Sequence, residues 1–298
     1  YNEIEIINFV NKFRDIAIKY DGLKCEKDGK GVKIPGLDFN TNNEILQYCK
    51  SLDRFILEER LFGQEFSLMS FSDGVNLIHM KPIQNFKRVF EGDKGPQTAG
   101  MGCISPLSFL STKDIKQVEK INYDIIAALS REEGSNNYKG ILCGSYMKTD
   151  AGIKVIEFNC RFGDPEALVA LKQLQSDLVE IFLNIVNGTL NTLKIQWDTR
   201  PIVCKYLVPY GYPENPTSNQ LIKLNGIDKI NLIYSSVGID SLKLKSLGSR
   251  TLAIVTFGDS LYDASIKINK ELSKISGNFY YRKDIGAQQI KYKDTGIA

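Results

Sequence analysis

The chain has 298 residues, enough for two domains and a sizeable hydrophobic core, and a nearly balanced formal charge of +3. Lys and Arg are scattered, no stretch has the apolar length of a membrane helix and no secretory pattern opens the chain, so neither a nucleic-acid nor a membrane partner is expected. The six cysteines, at 25, 49, 103, 143, 160 and 204, contain no C-x-x-C pair, and His79 is the one histidine; this argues against multi-histidine metal chemistry and for reduced thiols in a cytoplasmic protein.

The chain opens on Tyr1 rather than Met and runs at once into a helical pattern, "EIEIINFVNKF", which reads as a chain cut from a longer one. A β-rich run, 15–20, leads into a loop of glycine and charge, 21–31. Runs 54–61, 65–71 and 75–80, separated by Phe62-Gly63-Gln64 and Asp73-Gly74, predict an antiparallel sheet built of successive hairpins. The stretch 86–106 is rich in glycine and carries two prolines, so it predicts no regular element, yet Val89, Phe90, Met101 and Ile104 predict an ordered one. Apolar positions from Ile115 onward recur at helical spacing, with Ser111 and Asp114 as a capping box and Gly134 as the stop. Strands 140–148 and 153–161 pair around Asp150-Ala151-Gly152. Helices follow over 165–175, with Asp164 as N-cap, and over 177–187, capped by Ser176 and stopped by Gly188. A change of composition at Trp197-Asp198-Thr199 divides the chain into domains at 1–192 and 199–298, the second β-rich with one helix (260–275) and a basic last strand.

Four stretches carry chemistry. In "KVIEFNCRFGDPE", 154–166, Glu157, Asn159 and Arg161 alternate along a strand and share one face. A Glu and an Asn placed so supply oxygens of the kind Mg²⁺ takes while leaving room for water and phosphate. A solvated edge strand would carry the same triplet, but the Gly-Asp-Pro helix start aimed at the same region favours an anion site. The 21–31 loop is either a phosphate-holding lid, with Gly22, Gly29, Lys30 and Gly31, or a plain surface turn; Lys19, at the end of an apolar strand, needs a partner. "ILEERLFGQE", 56–65, suits adenine readout by backbone groups with a ribose-binding Glu after the turn, and equally suits a charged hairpin. The fourth is 86–106.

Taken in this order, "IKYDGL", "ILEERLFGQEFS", "FKRVFEGDKGPQTAGMGCISP", "VIEFNCRFGDPEA", "PYGYP" and "YRKDIG" resemble the phosphoribosylamine–glycine ligase (glycinamide ribonucleotide synthetase) family, over essentially the whole chain and most like its archaeal members. The resemblance implies an α+β ATP-grasp fold, two α+β subdomains clasping ATP with the lid over about 10–72, followed by a small mostly-β C-terminal domain. It implies ATP and Mg²⁺ (or Mn²⁺) as cofactors and a reaction that joins glycine to 5-phosphoribosylamine through glycyl phosphate. Under it, Lys19, Gly29, Lys30 and Gly31 hold the ATP phosphates, Glu58 and the backbone near Leu61 meet adenine, and Glu65 meets ribose. Glu157 and Asn159 hold the metal, while Arg161, Asp164 and Lys87, with the 93–102 loop, line the acceptor and acyl-phosphate region.

The chain departs from the family pattern at Phe86, where a His is usual, at Gln97 and Ala99, and in three extra lid residues. The family's N-terminal Rossmann-like domain is not in this sequence, so a separate N-terminal domain is an expected partner. Two other readings stay open: an ATP-grasp ligase for another carboxylate, and a non-catalytic or split-enzyme ATP-binding chain.

Overall fold

The computed structural model describes residues 2–13, 15–21, 32–36, 39–132 and 137–287. They fall into two compact units, Tyr1–Phe62 and Gly63–Ala298.

The first unit is a three-stranded antiparallel sheet in the order Val32–Lys33, Ile16–Tyr20, Phe55–Glu59, with the helices Glu3–Phe13 and Asn42–Lys50. Ile6 and Val10 of one helix and Ile45 and Cys49 of the other bury against Ile16 and Ile18 of the central strand, the i, i+4 spacing placing each helical pair on one face. The second helix has no counterpart among the sequence expectations. Its signal is nonetheless local: the Thr41 side chain accepts from Glu44 N at 3.2 Å, and Glu44 Oε2 accepts from Thr41 N at 3.2 Å.

The second unit holds a four-stranded antiparallel sheet in the order Gly152–Asn159, Lys139–Thr149, Gln64–Asp73, Leu77–His79. A six-stranded sheet runs Leu232–Tyr234, Leu252–Phe257, Ile202–Pro209, Gly102–Ser105, Gln84–Asn85, with Phe279–Tyr280 pairing onto Ile202–Pro209. The helices Thr112–Leu129 and Leu178–Asn187 pack on the first sheet, and Glu166–Gln173 and Leu261–Leu272 on the second. Phe66, Phe71, Tyr146, Ile104, Val203 and Ile254 belong to one core shared by both sheets. The strand Ile202–Pro209 is buried at every residue because it runs in the middle of its sheet, beneath the helix Leu261–Leu272.

Four expectations are corrected. The strand Phe55–Glu59 does not form a hairpin with Gln64–Asp73; it pairs with Ile16–Tyr20 over five residues, while Gln64–Asp73 pairs with Lys139–Lys148 over ten. The expected hairpin of Gln64–Asp73 with Leu77–His79 is present. Residues 86–106 are not irregular: Arg88–Phe90 and Lys94–Gln97 form a small hairpin, and Gly102–Ser105 is a sheet strand. Glycine makes this possible, since Gly92 at the hairpin turn, Gly95 within the second strand and Gly100 before Gly102–Ser105 all take positive φ. Asp164 is not an N-cap, because its carboxylate is bound elsewhere and Pro165 occupies the cap with no side-chain hydrogen bond. Asp177, not Ser176, caps the helix Leu178–Asn187, its Oδ1 accepting from Val179 N at 2.7 Å, while Ser176 Oγ accepts from Gln196 N at 2.8 Å. Gly188 stops that helix in the left-handed conformation, as expected. Gly134 lies outside the described residues.

Candidate active site

The strand Gly152–Asn159 ends where the candidate metal face begins. Glu157 and Asn159 stand on one side of it, and Asn159 Nδ2 donates to Glu157 Oε1 at 3.1 Å. The alternation does not reach Arg161, which lies past the strand end, exposed, donating from Nη1 to the Phe162 carbonyl at 2.8 Å. Two oxygen-bearing side chains, not three polar ones, therefore make the strand face.

Behind them lies a group that the sequence reading reached only in part. Lys87 forms an ion pair with Glu65 through Oε1. Glu166 is buried, and its Oε1 accepts from Ser67 Oγ at 3.1 Å and Asn85 Nδ2 at 3.3 Å. Burial works against the Lys87 ammonium, but the fields of Glu65, Glu157 and Glu166 hold its pKa above the ordinary lysine value. Burial raises the Glu166 carboxyl, with Lys87 and its hydrogen bonds opposing the rise. One cation thus faces three carboxylates.

A second cation organises the other edge. Arg250 donates from Nη2 to Asp164 Oδ2 at 2.6 Å and from Nη1 to Oδ1 at 3.2 Å, stacks over the Tyr206 ring at 4.6 Å and lies 3.4 Å from the Ala99 carbonyl. Tyr206 OH donates to Asp164 Oδ1 at 3.2 Å. The 98–102 turn passes so close to this group that a Cβ at Gly100 would meet Asn85 Oδ1 at 2.5 Å and Pro165 Cδ at 2.6 Å, at a φ of +128°. Only glycine fits there. Glu166, Ser67, Asn85 and Arg250 escaped the sequence reading; Glu166 alone had a signal, as the last letter of the "GDPE" motif.

In the first unit Lys19 meets Glu58 at 2.6 Å, with 17 % of the lysine side chain exposed. Adjacent strands bring the two together, since Lys19 and Glu58 stand two positions out of register, and so on one face, on Ile16–Tyr20 and Phe55–Glu59. Leu61, half-buried, follows the second of these strands. Gly22, Gly29, Lys30 and Gly31 lie outside the described residues.

The donor set fits a hard divalent cation. Among the described residues no three His, Cys, Asp or Glu side chains gather into a protein-only metal cage. Glu157 and Asn159 instead offer one carboxylate and one amide oxygen side by side, the partial set used when phosphate and water complete the shell. No helix among the described residues is long and apolar enough to cross a membrane.

The phosphoribosylglycinamide synthetase ATP-grasp (A) domain model matches residues 2–167, and the C domain model of the same family matches 202–288. A phosphoribosylamine–glycine ligase of Methanocella arvoryzae is 39 % identical over 93 % of this chain and 64 % of its own length. One of Methanosarcina barkeri is 36 % identical over 96 % of this chain and 67 % of its own length. The chain thus spans about two thirds of the length of the curated relatives it matches. Among solved structures, phosphoribosylamine–glycine ligase from Thermotoga maritima superposes with a TM-score of 0.79 at 27 % identity, covering 95 % of this chain and 72 % of that one. The biotin carboxylase domain of Hydrogenobacter thermophilus 2-oxoglutarate carboxylase, solved with MgADP and bicarbonate, shares the fold at 15 % identity and a TM-score of 0.65, over 92 % of this chain and 60 % of that one.

Proposed function

The chain belongs to the phosphoribosylglycinamide synthetase family, with its ATP-grasp fold and C domain, and from that membership we propose that it joins glycine to 5-phosphoribosylamine at the expense of ATP. A glycine carboxylate oxygen attacks the γ-phosphorus and ADP leaves, giving glycyl phosphate. The amine of phosphoribosylamine then attacks the acyl carbon, the C–N bond forms, inorganic phosphate departs and the nitrogen loses a proton. The observation that carries this reading is the Lys87–Glu65 ion pair, set in the field of Glu157 and Glu166, with the Asn159 amide hydrogen-bonded to Glu157. Phosphoryl transfer needs charge placed to meet charge, and little covalent work from the protein.

In this reading Glu157 and Asn159 hold Mg²⁺ (or Mn²⁺), which when bound neutralises charge on the phosphate oxygens. Lys87, Arg161 and Asp164 line the acceptor and acyl-phosphate end, and Arg250 orients Asp164. Glu65 keeps Oε2 for a ribose hydroxyl while Oε1 meets Lys87. Lys19, Gly29, Lys30 and Gly31 serve the ATP phosphates, and Glu58 and Leu61 the adenine. The five described cysteines are free, which supports a reducing, cytoplasmic setting.

The test is ADP release with Mg²⁺, ATP, glycine and freshly generated phosphoribosylamine, against controls lacking each. Release that needs both glycine and phosphoribosylamine is expected. Release with another carboxylate in place of glycine would overturn the substrate assignment. Release only after adding the part of a relative that this chain does not span would assign the rest of the pocket to that part.

A further inference from the structure

We propose that Arg282 is a positioning residue for Lys87, holding the residues on both sides of that lysine, the Phe86 ring and the Arg88 carbonyl, so that its ammonium stays among the carboxylates of the site. The inference rests on the placement of Lys87 at the reacting end made above.

Lys87 sits at a junction. On one side Phe86 is tied to the six-stranded sheet, its N–H donating to the Gly102 carbonyl at 2.9 Å and its own carbonyl accepting from Met101 N at 2.8 Å. On the other side Arg88 opens the hairpin Arg88–Phe90 and Lys94–Gln97, whose two strands pair with each other and with no other strand among the described residues. A hairpin outside the main ladders is placed by side chains; Tyr280 OH accepts from Glu91 N at 3.3 Å, and Arg282 supplies the contacts beside Lys87.

Its side chain has no exposed surface. Nε and Nη2 fork onto Asp284 at 2.9 and 2.7 Å, and Nη1 donates to Asp93 Oδ1 at 2.6 Å and to the Arg88 carbonyl at 3.0 Å. Cζ lies 5.2 Å from the centre of the Phe86 ring. Arg282 therefore touches residues 86 and 88, the two neighbours of Lys87, and the hairpin turn at 93. Its flanks grip the same turn: Gly92 N donates to Asp284 Oδ2 at 3.0 Å, and Lys283 N donates to Glu91 Oε1 at 3.0 Å. From the opposite side Lys205 Nζ donates to the Lys283 carbonyl at 2.8 Å.

A buried guanidinium is costly unless its donors are used, and a planar fork is what lets one side chain reach Asp284, Asp93 and a backbone carbonyl together. Lysine has the charge without the fork. The segment "YRKDIG" thus anchors the "EGDKG" turn, and Lys87 is the group of the site that the anchor holds still.

The test compares the 298-residue chain with its Arg282→Lys, Asp93→Gly and Lys87→Met variants. The readouts are kcat and KM for ADP release, and amide hydrogen exchange over 88–97 with Gly102–Ser105 as internal reference. Asp93 is half-exposed with φ +54°, a conformation glycine adopts freely, so Asp93→Gly removes one anchor without strain. Arg282→Lys is expected to lower kcat by about 10- to 100-fold, the effect of displacing a reacting group by an ångström or so. KM for ATP should move by less than about twofold, and exchange should quicken over 88–97 but not over 102–105. Asp93→Gly should do the same more weakly, and it carries both readouts if Arg282→Lys does not fold. Faster exchange with unchanged kcat would reduce Arg282 to a structural role, and unchanged exchange would remove the positioning itself. If Lys87→Met turns over like the parent chain, the role of Lys87 falls and this proposal with it. An inactive Lys87→Met beside a fully active Arg282→Lys sinks this proposal alone.

Discussion

Lys205 stands in the central strand of the six-stranded sheet with no exposed surface, its ammonium donating to Ser265 Oγ, Asn269 Oδ1 and the Lys283 carbonyl, each at 2.8 Å. Burial pulls its pKa down to about 7, against partial support from Asp284 and Glu91 and with Arg282 adding to the fall. Unfolded, the same lysine titrates near 10.5, so between about 7 and 10.5 the unfolded chain binds more protons and stability rises with pH. Urea unfolding at pH 7 and pH 9 should therefore show a rise in the parent chain that is smaller in Lys205→Met; equal slopes would mean that Lys205 keeps an ordinary pKa. Glu157 makes the opposite kind of case, exposed and spare in its contacts. Glu157→Gln should leave Tm unchanged and lower metal-dependent ADP formation on the order of a hundredfold, the loss typical of one preorganised charge-stabilising group. Full turnover in that variant would remove Glu157 as a ligand.

Among the elements, the two helix starts near the site behave differently from one another. Asp177 caps Leu178–Asn187 through two backbone N–H groups, so Asp177→Ala should cost about 1 kcal/mol of stability with ADP release untouched. Asp164 caps nothing. Its carboxylate holds the half-buried Arg250 and accepts from Tyr206, and the pair is half-exposed on the Asp164 side. Asp164→Ala should cost roughly 1–2 kcal/mol through the unpaired guanidinium, and should lower activity as well. Retained activity in a destabilised Asp164→Ala would leave it a structural residue only. The turn 98–102 is the stricter element: Gly100→Ala brings a Cβ against Asn85 and Pro165 at positive φ and should destabilise by more than about 1 kcal/mol. A Gly100→Ala chain as stable as the parent would show that the turn can move aside.

At the scale of the whole chain, the two units differ in how much core each owns. Among the described residues, Tyr1–Phe62 closes over six buried apolar side chains, Ile6, Val10, Ile16, Ile18, Ile45 and Cys49, whereas Gly63–Ala298 shares one core between two sheets. Small cores leave little margin over conformational entropy. Native-state hydrogen exchange should accordingly be faster in Ile16–Tyr20 than in Phe66–Asp73. Equal protection in the two strands would mean that they open only in one global event.

The sequence by itself determined the family, the antiparallel pairing of 140–148 with 153–161, the capped start at Ser111, the stop at Gly188 and the side-by-side oxygens of Glu157 and Asn159. Apart from the family, read from motifs along the whole chain, each of these is local: a cap, a turn or a two-residue period is decided by groups within a few positions of one another. Tertiary structure alone decided that Phe55–Glu59 pairs with Ile16–Tyr20 and that the glycine-rich 86–106 segment forms strands. It also decided that Asp164 serves Arg250 and that Arg282 holds the residues around Lys87. Those choices join groups 86 positions apart for Asp164 with Arg250, 99 for Glu166 with Ser67 and 189 for Arg282 with Asp93. No sequence period reports such separations, because a buried charge selects whichever partner the packed fold brings within reach.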